Sequence, residues 1–76
     1  MAEYEFIEIF GDNLRDALCD ANISQNELSR RTGIVKQTIS SYMNKKSMPS
    51  LRNVINISIV LGCEISDLVP VYEKII

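Results

Sequence analysis

The segment Ser24-Gln25-Asn26-Glu27-Leu28-Ser29-Arg30-Arg31-Thr32-Gly33-Ile34-Val35-Lys36-Gln37-Thr38-Ile39-Ser40-Ser41-Tyr42 leaves little freedom in how this chain folds. Ser24 stands three residues before Glu27, the spacing of a capping box, in which the two side chains each take the other's backbone N–H. Ile23 just before the cap and Leu28 inside the helix make the hydrophobic staple of the same start. A helix is predicted over about 25–32, and Gly33 supplies the left-handed residue that ends it. A second helix follows over about 36–44. Its Ile39 and Met43, with Tyr42 beside them, form an inward face, while Lys36, Gln37, Ser40 and Ser41 form an outward one.

Further short helices surround this pair. Phe10, Leu14, Ala17, Leu18 and Ala21 recur at helical spacing, with Asp12, Arg15, Asp16 and Asp20 outside them. They predict a helix over about 9–21, closed by a left-handed Asn22. Residues 1–8 read as an N-terminal arm. Tyr4, Phe6 and Ile7 among the acids there fit a frayed arm, a short strand or an early helical turn equally well. Ser50, after Pro49, caps a helix that ends at Gly62, with a core stripe of Leu51, Val54, Ile57 and Leu61. Ser66 caps a last short helix over 67–69, which Pro70 interrupts. No strand pattern appears and the connections are short. The expected fold is all-α: a compact bundle of five short helices over 9–69, then a C-terminal tail over 70–76.

At 76 residues the chain is one small domain, whose core leaves a margin of roughly 3–5 kcal/mol. There is no His, and Cys19 and Cys63 stand far apart, so a zinc site is not expected and two reduced thiols are, in keeping with a cytoplasmic location. No apolar run is long enough to span a bilayer. No cofactor is implied. A catalytic role is not expected either, because the chain lacks a nucleophile–base pair, metal-ligand spacing and a Gly-rich phosphate loop. Asp12, Asp16 and Asp20 on one helix face read as a solvated stripe.

The net charge of −2 hides an asymmetry. Residues 1–22 carry −5, residues 23–53 carry +5 (Arg30, Arg31, Lys36, Lys45, Lys46 and Arg52 against Glu27), and the remainder carries −2. A basic segment on an acidic body is the electrostatic footprint of a nucleic-acid binder.

Two helices joined by a tight turn, the second with a polar outer face, is the layout of a helix-turn-helix. The residues Ile23-Ser24-Gln25, Leu28, Gly33, Thr38-Ile39-Ser40, Tyr42, Asn44, Pro49-Ser50-Leu51, Leu61-Gly62 and Ile65-Ser66-Asp67-Leu68 together resemble the lambda-repressor-like (Cro/XRE) helix-turn-helix domains. The resemblance covers about 10–69. It implies a DNA-binding transcription regulator, a bacterial or phage repressor, that reads the major groove with the helix at 36–44.

Carried over onto matching positions, the resemblance places Lys36, Gln37 and Ser41 at base edges. Lysine suits guanine O6 and N7, and glutamine pairs with adenine N6 and N7. It places Gln25 on a phosphate. Thr38 is expected on a phosphate or a thymine methyl, and Asn44, Lys45, Lys46 and Arg52 along the sugar-phosphate backbone, where contacts fix register without reading sequence. Arg30 and Arg31 are expected to pair with nearby acids instead.

This chain also departs from the family. Leu18 and Met43 replace a common Arg–Glu ion pair and are expected to pack together, since an apolar contact can substitute for such a pair when both partners change. Val35 replaces the usual Ser or Thr cap. Lys45 stands where Gly is usual, so the turn after Asn44 is expected either to differ or to be strained. Ser29 replaces a common Ala and should bond locally.

Helix 50–62 is more apolar than one chain needs. Ile55, Ile59 and Val60, with Ile65, Val69, Val71, Ile75 and Ile76, are expected to form an exposed patch and a symmetric homodimer interface, the alternative being a tail that folds back over them within one chain. The alternative function is an antitoxin-type interaction module that also binds DNA, with the acidic arm as a partner surface. Expected partners are thus double-stranded DNA, a second copy, and a toxin or polymerase.

Overall fold

The computed structural model describes residues 2–70, and the expectations for Val71, Ile75 and Ile76 lie outside them. Four α-helices follow in order: α1 (Glu3–Ala21), α2 (Gln25–Thr32), α3 (Lys36–Met43) and α4 (Leu51–Leu61). The fifth expected helix is a single 3-10 turn, Ile65–Asp67, two residues earlier than 67–69. Its cap is Glu64 rather than Ser66, and the Glu64 N–H donates to the Asp67 carboxylate at 3.0 Å.

The boundaries follow local chemistry. Asn22, Gly33 and Gly62 all adopt the left-handed conformation and end their helices. Ser24 Oγ accepts from the Glu27 N–H and Ser50 Oγ from the Asn53 N–H, each at 3.1 Å. The reciprocal half of the expected capping box is absent, because the Glu27 carboxylate is taken by Arg30 and Arg31, each at 2.6 Å.

Helix α1 starts well before residue 9. The Glu5 carboxylate caps the Ala2 N–H at 3.0 Å, and Phe6 packs against the core, so helix is the outcome among the three readings of this stretch.

Phe10, Leu14, Leu28, Ile39, Ile57 and Leu68 are sealed from solvent at the centre. The rings of Phe10 and Tyr42 meet edge to face, with centroids 5.4 Å apart, a geometry that adds about 0.5–1.5 kcal/mol to simple burial. Asn13 Nδ2 donates to the Leu68 carbonyl at 3.0 Å and ties α1 to the end of the domain. Gly11 lets α1 approach the end of α3: a Cβ there would lie 2.8 Å from the Tyr42 carbonyl oxygen and 2.9 Å from Lys45 Cγ.

Leu51 is not in the core. As the first residue of α4 it is 70% exposed, because the buried stripe of that helix runs through Val54, Ile57 and Ser58. Ser58 Oγ donates to the Ile55 carbonyl at 2.7 Å, which satisfies the buried hydroxyl. Leu18 and Met43 are both buried in one cluster, as expected for the substituted ion pair.

Candidate nucleic-acid interface

The turn between α2 and α3 is fixed by side chains. Gly33 takes φ 78°. Ser29 Oγ donates to the Ile34 carbonyl at 2.6 Å, the local bond expected of that serine. Thr32 Oγ1 donates to the Leu28 carbonyl at 2.7 Å and accepts the Ile34 N–H at 3.1 Å. From across the domain, Asn56 Nδ2 donates to the Thr32 carbonyl at 2.8 Å. Four hydrogen bonds therefore set the angle at which α3 leaves α2.

Helix α3 is divided by burial into two flanks. Ile39, Tyr42 and Met43 are buried, and Tyr42 Oη accepts from Asn53 Nδ2 at 2.9 Å. On the other flank Lys36 and Gln37 are exposed, and Thr38, Ser40 and Ser41 are half-buried. Val35 caps the helix without a side-chain hydrogen bond, as its lack of a hydroxyl predicts. Its carbonyl accepts from the N–H groups of Thr38 and Ile39. The N–H groups of Lys36 and Gln37 take no backbone acceptor among the described residues, at a helix end that favours anions.

Five of the expected site residues line three surface grooves. Gln37, Thr38 and Ser41 line a groove with Ser47 and Met48. Thr38 also borders a second groove, with Gly33, Val35, Arg52 and Asn56. Gln25 borders a third, apolar one beside Leu18, Ile23 and Met43. Asn44 lies at the C-cap of α3, and its Nδ2 donates to Ser40 Oγ at 3.3 Å. Lys46 and Arg52 are exposed and make no ion pair among the described residues.

Lys45 differs from its neighbours. It adopts φ 61°, the left-handed conformation that a glycine would take more easily. Its Nζ lies 2.8 Å from Asp12 Oδ1. The Lys45 ammonium holds the Asp12 carboxyl below the usual carboxylate range. Glu27 is likewise lowered, by Arg30 first and then Arg31, so both arginines are spent within α2 as expected.

In the expected dimer patch, Ile59 is 72% exposed, and Ile55 and Ile65 are also open. Val60 and Val69 instead pack against the core as half-buried residues. Leu51, unrecognised in the sequence as a surface residue, lies on the same face as Ile55 and Ile59, at i, i+4 and i+8. Asn53, Asn56 and Met48 were also missed. Two amides set among the apolar residues of α4 were the available signal for the first two. Cys19 and Cys63 are free thiols, and burial raises the Cys63 thiol above its ordinary value.

A sequence profile described as "Helix-turn-helix" matches residues 14–68. The chain belongs to the lambda-repressor-like helix-turn-helix family. It is accordingly a DNA-binding transcription regulator at the level of that family. Two solved structures share the fold of this helix-turn-helix domain. The restriction-modification controller protein C.AhdI from Aeromonas hydrophila is 22% identical, with a TM-score of 0.77 over 82% of this chain and 94% of that one. The SOS-response transcriptional repressor LexA from Eubacterium rectale is 19% identical, with a TM-score of 0.79 over 99% of this chain and 84% of that one. No curated protein matches the chain. Among the described residues no helix is long and apolar enough to cross a membrane.

Proposed function

We propose that this helix-turn-helix protein is a sequence-specific repressor that sets α3 into the major groove of an operator and blocks polymerase there. The observation that carries this reading is the division of α3. One flank is sealed in the core, while Lys36 and Gln37 stand free at the end that enters a groove. In this reading Lys36, Gln37 and Ser41 meet base edges. Gln25, Thr38, Asn44, Lys46 and Arg52 follow the backbone. Lys45 reaches a phosphate only by exchanging Asp12 for it.

The exposed stripe Leu51, Ile55 and Ile59, with Ile65, supports a symmetric dimer. Two α4 helices packed antiparallel would place Ile55 on the two-fold axis and Leu51 against Ile59 of the second copy. Two reading helices would then meet half-sites about 34 Å apart.

Selection of bound sequences from random DNA tests the reading. A near-palindromic motif whose preference is relaxed by Gln37→Ala supports it. Recovery of no motif, or a motif indifferent to Lys36→Ala and Gln37→Ala, would reject it. A chain that sediments as a monomer at high concentration would remove the dimer.

A further inference from the structure

Beside the polar flank of α3 lies a groove of about 380 Å³, walled by Gln37, Thr38, Ser41 and Tyr42 on the helix and by Ser47 and Met48 on the loop that follows. Met48 is 41% exposed there. The next residue, Pro49, is buried. It anchors the loop and holds the residue before it in an extended conformation, so the position of Met48 is set by the fold.

A thioether has nothing to offer a phosphate. It accepts hydrogen bonds weakly and carries no charge. The loop positions that suit a backbone contact are Lys45 and Lys46, before it in the chain. Yet Met48 shares its groove with the two side chains, Gln37 and Ser41, that the proposed function places at base edges. The one apolar group that a base pair presents in the major groove is the 5-methyl of thymine. Methionine, flexible and polarizable, is well suited to pack against such a group.

We propose that Met48 is a specificity-determining contact that packs on the 5-methyl group of a thymine adjoining the base pair met by Gln37 and Ser41. This rests on the reading of α3 as the groove-reading helix. Gln37 and Ser41 would supply the hydrogen bonds, and Met48 would supply discrimination between thymine and cytosine at the next step, where hydrogen bonds are not available to it.

The test uses DNA carrying the selected motif, with each thymine replaced in turn by deoxyuridine. That change removes one methyl group and leaves the pairing intact. For the wild-type protein, one such replacement should weaken binding about fourfold, the ratio that burial of one methyl-sized group gives. The same replacement should have no effect on Met48→Ala, and Met48→Leu should keep most of the sensitivity. The exposed position makes both variants compatible with folding, which the helical circular dichroism signal checks. Full affinity at every substituted thymine would overturn the proposal, as would an equal loss in the wild type and Met48→Ala. Failure of the underlying reading shows separately, as a Gln37→Ala variant with unchanged sequence preference. It would take the Met48 contact down with it.

Discussion

Helices α2 and α3 are both eight residues long and lie on either side of one turn, but their polar groups are used in opposite ways. In α2 they serve the helix itself. Ser24 caps the start, Glu27 gathers both arginines, and Thr32 and Ser29 close the end. Helix α3 has no side-chain cap, no acid in its first turn and no ion pair along its length among the described residues. It is held by what it buries and leaves its amide, ammonium and first N–H groups unspent. A strut and a reader thus differ less in length or propensity than in whether their hydrogen-bonding capacity is consumed internally.

The largest expected effect tests whether burial alone holds α3. Ile39 is fully buried, so Ile39→Ala should cost about 2–5 kcal/mol in urea unfolding and abolish DNA binding with it. A smaller loss would mean that α3 has local support of its own.

Next come the unspent groups. Lys36→Ala and Gln37→Ala should each lose about 1–3 kcal/mol of discrimination at one base pair, measured with single-substitution operators. Their unfolding midpoints should not move. If the midpoints fall instead, the exposed flank contributes to the fold and the contrast with α2 weakens.

The caps give a more direct comparison. Ser24→Ala should destabilise by about 1 kcal/mol, whereas Val35→Ser should stabilise by up to about 1 kcal/mol, because of these two helices only α3 begins without a capping side chain. Equal and opposite shifts in thermal midpoint would sharpen the comparison, and a neutral Val35→Ser would blunt it.

The smallest effect is in acid. Arg30 and Arg31 hold the Glu27 carboxyl below its ordinary value in the folded protein. The stabilisation this gives is complete above the ordinary glutamate range and is lost as pH falls through the lowered folded value. Glu27→Gln should therefore flatten the decline of stability on acidification, seen in unfolding curves between about pH 6 and pH 3. Exposure of the arginines keeps the change small.

Much of the fold was legible because its boundaries are written in single residues. Ser24, Gly33, Ser50, Gly62 and Asn22 mark helix ends by mechanisms that act within a few positions. The start of α1 was not, since Ala2 has no capping side chain and the cap comes backwards from Glu5. Leu51 was misplaced because one apolar residue extends the stripe of α4 by a turn on paper, while Ser58 replaces it inside. At the candidate site, the flank of α3 followed from periodicity. The Asp12–Lys45 pair, the Asn56 bond to Thr32 and the place of Met48 did not, because each joins residues from different helices or loops, and their approach depends on the packed core.

The bonds at Ser29, Thr32 and Asn56 mean that the elbow between α2 and α3 is already bent before any nucleotide arrives. Docking then has little internal rearrangement to complete. Its heat-capacity change should reflect the surfaces that meet, and its rate should be governed by encounter rather than by a slow isomerisation.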